Sequence, residues 1–223
     1  MRTLAIVPVK SFDLAKQRLA GALEPEVRQR LARAMFADVL VALQAAGTVD
    51  RVLVVTADAE AASLARRTVT VVHDDAQAGQ SAAAEIGIGQ ALEEGRDRVV
   101  LLPGDTPLID PDELDELLTR TAADGVAVGV VSDRHGTGTN ALVLSPPDAI
   151  GPSFGPGSLA RHVAAARAAG VRHRVERVPS IEHDVDTPDD LAALIAALDA
   201  AAGRASVTRD AVAQLGLAAA ARG

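Results

Sequence analysis

Short apolar runs rich in β-branched residues recur along the first part of the chain. They are separated by longer Ala- and Leu-rich stretches in which apolar positions return every three or four residues. Leu4 to Val9 is the first run, and RVLVVT from Arg51 to Thr56, TVTVV from Thr68 to Val72 and RVVLL from Arg98 to Leu102 follow. Unbroken hydrophobicity over such short stretches is what strands covered on both faces require, so a buried, mainly parallel sheet is expected. Between the runs, Pro25 opens a helix at its first position, and Val27, Leu31, Ala34, Met35, Val39 and Leu43 trace one apolar stripe until Gly47 stops it. Ser81 to Glu94 predicts a second helix, and Asp110 before Pro111 reads as an N-cap leading into Leu114, Leu117 and Leu118. Strand-helix alternation as far as residue 125 implies right-handed crossovers and an α/β three-layer sandwich. Ligands of such sheets gather at the carboxyl ends of the strands.

The pattern then changes. Val126 to Val131 and Ala141 to Leu144 read as strands separated by RHGTGTN, and a loop rich in Gly and Pro, GPSFGPGS, precedes a helix from Ser158 to Ala169. A last strand near Arg172 to Val178 leads to EHDVDTPDD and a closing helix. After Gly203 the segment ASVTRDAVAQLGLAAAARG accommodates one more short helix with a weak apolar face. The expected organisation is one domain over 1–202 and an accessory tail over 203–223, with no internal repeat.

Composition narrows the function classes. The chain has 223 residues, of which 48% are hydrophobic and 23% charged, too apolar for a disordered segment. It has no cysteine, so any metal must be held by oxygen or imidazole, which favours a hard cation. No run approaches the roughly 18 apolar residues of a membrane span, and the N-terminus reads as a strand without the features of a secretory signal. A cytoplasmic protein with no membrane partner is therefore expected. A formal charge of −8 argues against a nucleic-acid partner, whose phosphates are neutralised by many Lys and Arg. Of the 22 basic residues only Lys10 and Lys16 are lysines, and both follow the first strand closely.

Four segments carry candidate chemistry. In VPVKSFDLAKQRLA, Lys10, Lys16 and Arg18 lie where the carboxyl edge of a sheet presents cations to a polyphosphate; the alternative is that Lys16 and Arg18 are solvated helix charges. Neither a P-loop nor a GxGxxG fingerprint follows the strand. In LLPGDTPLI a Pro-Gly turn delivers Asp105 from the end of a buried strand, although an Asp there equally bonds its own turn. In EHDVDTPDDL, Thr187, Pro188 and Asp190 explain themselves as a helix start, and His183 reads as a flanking residue. Asp184 and Asp186 have no such explanation; two residues apart on an extended segment, they project to one side, where with Asp105 they could hold Mg²⁺. Finally, GTGTN and FGPGS pair glycines with Thr139 and Ser158, and Ser158 opens a helix. Glycine turns often merely turn, but together these describe a second anion pocket.

In this order and spacing, VPVKSFDLAKQRLA, LLPGDTPLI, GTGTN, FGPGS and DVDTPDDL resemble the 2-phospho-L-lactate or phosphoenolpyruvate guanylyltransferases of coenzyme F420 biosynthesis over roughly residues 1–200. The resemblance implies a nucleotidyltransferase fold of the nucleotide-diphospho-sugar transferase type. It implies condensation of GTP with a small phosphorylated acid and release of pyrophosphate. Lys10, Lys16 and Arg18 then handle the GTP phosphates, Asp105 with Asp184 and Asp186 holds Mg²⁺, and Thr139, Gly155 and Ser158 receive the acid. The Arg and Ala bias suggests a GC-rich, actinobacterial-like host, for which the family points to phosphoenolpyruvate over phospholactate. A homodimer is compatible with this reading. At GQSAAAEIG the chain has Gln80-Ser81 where relatives usually show Leu-Asn, which leaves the nucleotide contacts of that stretch open. Two further readings are a sugar-phosphate or molybdenum-cofactor nucleotidyltransferase, or a related glycosyltransferase, and a nucleotide-binding module without catalysis.

Overall fold

The computed structural model describes residues 1–14, 16–201 and 203–217. Seven strands form one sheet: β1 (Thr3–Val9), β2 (Arg51–Thr56), β3 (Thr70–His73), β4 (Arg98–Leu101), β5 (Val128–Ser132), β6 (Thr139–Leu144) and β7 (His173–Glu176). Their order is β3-β2-β1-β4-β6-β5-β7. Every pairing is parallel except those of β6, which runs antiparallel to both β4 and β5. The sheet is thus mixed and mainly parallel, as expected.

Alternation along each strand divides the core in two. On β1, Ala5 and Val7 face one layer while Leu4 and Ile6 face the other; on β6, Ala141 and Val143 oppose Leu142 and Leu144 in the same way. The first layer is built by α1 (Pro25–Ala45), α2 (Ala59–Ala65) and α4 (Pro111–Ala123), which contribute Phe36, Val39, Leu43, Ala61, Leu114 and Leu117. The second is built by α3 (Gln80–Glu93) and α5 (Ser158–Ala168), which are small-residue helices packed close to the sheet. Asp110 caps α4 by accepting from the Asp112 amide, and α6 (Pro188–Ala200) begins with a reciprocal capping box between Thr187 and Asp190. Helix α2, capped by the Asp58 carboxylate, is an element the apolar pattern did not predict.

A third cluster joins α1 and α6 to the tail helix α7 (Ser206–Gln214) through Leu31, Met35, Leu194, Leu198 and Val212. The carboxylate of Asp38, buried on α1, accepts hydrogen bonds from the amides of Val207 at 3.2 Å and Thr208 at 2.7 Å, so the start of the tail is tied to the body of the fold. Residues 218–223 of the expected tail lie outside the described residues. No helix among the described residues is long and apolar enough to cross a membrane.

The close seat of α3 depends on one glycine. A Cβ on Gly87 would lie 2.5 Å from Cγ2 of the fully buried Ile6, whereas one on Gly89 of the same helix would meet nothing within 4 Å. Gly87→Ala is expected to lower the unfolding free energy by about 1–3 kcal/mol through overpacking. Gly89→Ala should raise it by up to about 1 kcal/mol through helix propensity. Urea unfolding of both variants checks the contrast, and equal effects would contradict it.

Candidate functional site

The carboxyl ends of β1 and β4 and the beginning of β6 meet at one edge of the sheet. Because β6 is antiparallel to β4, with Leu142 opposite Leu101, its first residues Thr139 and Asn140 extend past the edge at which β4 releases its loop. A cleft of about 990 Å³ opens there, and Lys10, Lys16, Arg18, Asp105, Thr139, Gly155, Ser158, Asp184 and Asp186 all line it.

On the β1 side the chain leaves the sheet through exposed Lys10 and two short 3-10 turns, Phe12–Leu14 and Gln17–Leu19. The Phe12 amide donates to the Asp58 carboxylate at 2.9 Å, and Leu19 is fully buried, so the segment is pinned at both ends. Between these pins Lys16 adopts a left-handed backbone conformation with φ 57°. Its side chain, only 6% exposed, reaches inward to ion-pair with Asp105 and comes to 3.7 Å of Asp186. Burial alone would pull the Lys16 ammonium below its ordinary proton affinity; the charges of Asp105, Asp186 and Asp184 overcome this and raise it. Lys16 is therefore not the solvated helix charge that was the alternative. Arg18 stands at the rim, 65% exposed, with its guanidinium 3.7 Å from Asp186.

Asp105 leaves β4 through a turn in which a Cβ on Gly104 would press within 3.2 Å of Phe36. The carboxylate is bonded to Lys16, and no backbone amide donates to it among the described residues, so it is not spent on stabilising its own turn. Asp184 and Asp186 project into the cleft on either side of fully buried Val185, the alternation expected of an extended segment. Asn140 spans the gap to β6, donating from Nδ2 to the Ile181 carbonyl at 2.9 Å and to Asp184 at 3.1 Å. Burial pushes the Asp184 carboxyl up to about 6, and Asp105 and Asp186 add like-charge repulsion that the Asn140 bond only partly offsets.

The other half of the cleft is built from loops fastened to neighbouring helices. Arg134 donates to Asp190 from Nε at 2.7 Å, and His135 lies 3.2 Å from the same carboxylate, so the GTGTN loop is tied to the start of α6. Burial would raise the Asp190 carboxyl, but bonds from Thr187 and Arg134 hold it well below the usual carboxylate range. A Cβ on Gly138 would fall 2.6 Å from the Asp133 carboxylate, which explains the glycine there. In FGPGS, Gly155 and Gly157 have φ of +102° and +72°, values L side chains rarely adopt. The Phe154 amide donates to the Ser81 hydroxyl at 2.9 Å, so the departure at Gln80-Ser81 ties this loop to α3. Arg161 binds the carbonyls of Ser153 at 2.9 Å and Phe154 at 3.0 Å from outside. His162 contacts Thr139 within the fold at 3.0 Å.

Asn140, Ser81, Arg134, Asp190, Arg161 and His162 were not singled out as site residues from sequence. Two carried a signal: Asn140 is a polar residue opening an apolar strand, and His162 follows Ser158 by one helical turn on the same face.

Among the described residues no three His, Asp or Glu side chains stand at metal-holding spacing. The three candidate carboxylates line one wall, yet they are not drawn into a ready-made triad. Their chemistry still suits Mg²⁺, which takes one or two carboxylates and fills its remaining positions with water and substrate phosphate oxygens. Asp184 in particular is held among like charges that the Asn140 amide and the Lys16 ammonium offset only in part, a setting that a divalent cation would relieve.

A family model described as "Guanylyl transferase CofC like" matches residues 3–218, a span running beyond residue 202 into the tail. A phosphoenolpyruvate guanylyltransferase of Conexibacter woesei is 48% identical over 216 residues, covering 96% of this chain and 97% of the relative. One of the same name from Sphaerobacter thermophilus is 41% identical over 191 residues, covering 86% and 91%. Among solved structures, one described as a nucleotide-diphospho-sugar transferase of Desulfovibrio desulfuricans superposes with a TM-score of 0.79 at 18% identity over 100% of this chain and 98% of the other. A cytidylyltransferase of Leptospira borgpetersenii gives 0.63 at 13%, over 98% and 96%. At such identities the likeness establishes the nucleotidyltransferase fold.

Asp184 offers a test of the crowded carboxylates. Its folded value, raised to about 6 from 3.8, means that ionisation costs more folded than unfolded. Asp184 therefore subtracts nothing from stability below about pH 4, progressively more between about pH 4 and 6, and a constant amount above. In metal-free buffer at pH 8, Asp184→Asn should melt several degrees above the parent, about 2–4 °C for each kcal/mol relieved. The difference should shrink toward zero at pH 4, and a variant that melts lower at pH 8 would contradict the assignment.

Proposed function

The chain belongs to the CofC-like guanylyl transferase family, and on that premise we propose that it condenses GTP with phosphoenolpyruvate, giving enolpyruvoyl-2-diphospho-5'-guanosine and pyrophosphate. The observation that carries this reading is a single cleft with two differently built halves: a Lys16–Asp105–Asp184 cluster suited to a nucleotide triphosphate, and a Thr139–Gly155–Ser158 wall suited to a small anion. In this reading a phosphate oxygen of the acid attacks the α-phosphorus of GTP. One P–O bond forms, the α–β bridge breaks, and its electrons leave with pyrophosphate. No general base is required, since a phosphate monoester is already largely ionised at neutral pH.

What remains for the protein is alignment and charge. Lys10, Lys16 and Arg18 offset the negative charge that accumulates on the leaving pyrophosphate, and buried Lys16 does so in the least screened position. Thr139, Gly155 and Ser158 hold the acid, the positive end of the α5 dipole adding to the attraction for its charge. Mg²⁺, which Asp105, Asp184 and Asp186 would hold, would withdraw charge from phosphate oxygens when bound. Residues 1–202 would carry this chemistry, with the tail as an accessory brace. The setting we assign is the cytoplasm and coenzyme F420 biosynthesis, without nucleic-acid or membrane partners.

Incubating the protein with GTP, Mg²⁺ and either phosphoenolpyruvate or 2-phospho-L-lactate, and following pyrophosphate release, tests the proposal. Release with phosphoenolpyruvate is expected, and Asp105→Asn should cut kcat by roughly 10²–10³-fold, the scale of losing one charge-stabilising group. Faster turnover of phospholactate, or an Asp105→Asn variant as active as the parent, would contradict it.

A further inference from the structure

His162 is fully buried beneath the small-anion wall, and its two ring nitrogens are both engaged. Nε2 lies 2.8 Å from the backbone nitrogen of Ser153, and Nδ1 lies 3.0 Å from the hydroxyl of Thr139. A backbone N–H can only donate, so Nε2 must present its lone pair. A neutral imidazole carries one N–H, which is thereby forced onto Nδ1. The ring is also kept neutral, since burial and then the Arg161 charge push its pKa down to about 4. Nδ1–H consequently donates to Thr139 Oγ1, and the hydroxyl hydrogen has no acceptor among the described residues.

Thr139 lines the cleft. The geometry points to His162 as a positioning residue that commits the Thr139 hydroxyl to donate into the cleft, toward the carboxylate or phosphate oxygens of the acid. This rests on the reading of Thr139, Gly155 and Ser158 as the acid's pocket. A hydroxyl that accepts from a ring N–H is polarised into a stronger donor, which favours an anion at that point over any group that must itself donate. The surroundings hold the ring in place: Phe154 meets it edge-on with centroids 5.3 Å apart, and Arg161 locks the Ser153 carbonyl from the outer side at 2.9 Å. The Ser153 amide thus acts twice, closing the loop onto α5 and selecting the tautomer.

Two measurements test the inference. Nitrogen-15 NMR of the ring at neutral pH should show the neutral Nδ1–H tautomer; the Nε2–H form would overturn the proposal whatever the enzyme's activity. For turnover, His162→Asn keeps a donor near the Nδ1 position, whereas the amide of His162→Gln sits near Nε2, where its oxygen can still accept from the Ser153 amide and no donor is held against Thr139. His162→Gln should raise the KM for phosphoenolpyruvate roughly tenfold or more, the scale of a lost hydrogen bond to a charged group, with the KM for GTP nearly unchanged. His162→Asn should restore most of the loss, and adding Thr139→Val to His162→Gln should add little, because both substitutions remove the same contact. Equal KM values for the Asn and Gln variants, parallel rises in both KM values, or additive losses in the double variant would overturn it. A parent protein that does not turn over phosphoenolpyruvate sinks the pocket reading instead, and the tautomer then still decides whether His162 sets the Thr139 hydroxyl.

Discussion

Like charges repel, and three carboxylates sharing one wall of a partly dehydrated cleft are tolerable only with a cation among them. Asp105, Asp184 and Asp186 arrive from β4 and from the segment before α6, and Lys16 arrives from the segment that follows β1. The ammonium is drawn in far enough to lose nearly all contact with solvent, at the expense of a left-handed backbone at a residue other than glycine. A lysine held so firmly by carboxylates occupies a position where positive charge is needed, and in the proposed reading it is there that phosphate groups would meet it. The same crowding raises the Asp184 proton affinity, leaving a group whose ionised form improves with any added cation.

The second constraint is topological. A wholly parallel sheet would carry the beginning of β6 to the opposite edge, away from Asp105. Its reversal brings Thr139 and Asn140 beside the end of β4 and gives one cleft two walls of different character. Asn140 donates to Asp184, while its neighbour Thr139 is bonded to His162 beneath the glycine-lined wall. Adjacent residues of one strand therefore link the two halves. The loops around them are fastened by the Arg134–Asp190 pair and the Ser81–Phe154 bond, so the cleft is supported from α6 and α3 as well as from the sheet.

Much of this was legible before any coordinates, because it depends on local rules. Continuous apolar runs located the strands within a few residues, and the Asp110 and Thr187 caps fell where helices α4 and α6 begin. Helix α2 escaped because seven residues carry too little periodicity to read, although Asp58 stood as its cap. The direction of β6 escaped too, since an apolar run looks the same whichever way its neighbours point. Proximity of Lys16 to Asp105 involves residues 89 positions apart, and sequence could offer it only against the alternative of a solvated charge. Asp190 reads as a cap, which it is, but its bond to Arg134 depends on the folded meeting of two loops. His162 sits in an Ala-rich helix one turn past Ser158, a spacing that fits a core histidine as well as one that orients a neighbour.

In the proposed reading one cleft holds a nucleotide at its cationic wall and a small anion at its glycine-lined wall, with Mg²⁺ held between them by one or two of the carboxylates. A crystal structure with a non-hydrolysable GTP analogue, Mg²⁺ and phosphoenolpyruvate tests it most directly. The account predicts a metal about 2.1 Å from an oxygen of Asp105 or Asp184, triphosphate against Lys16, and the acid against Thr139 and Ser158. Nucleotide bound outside this cleft, or an acid seated among the lysines with the Thr139 wall empty, would contradict it.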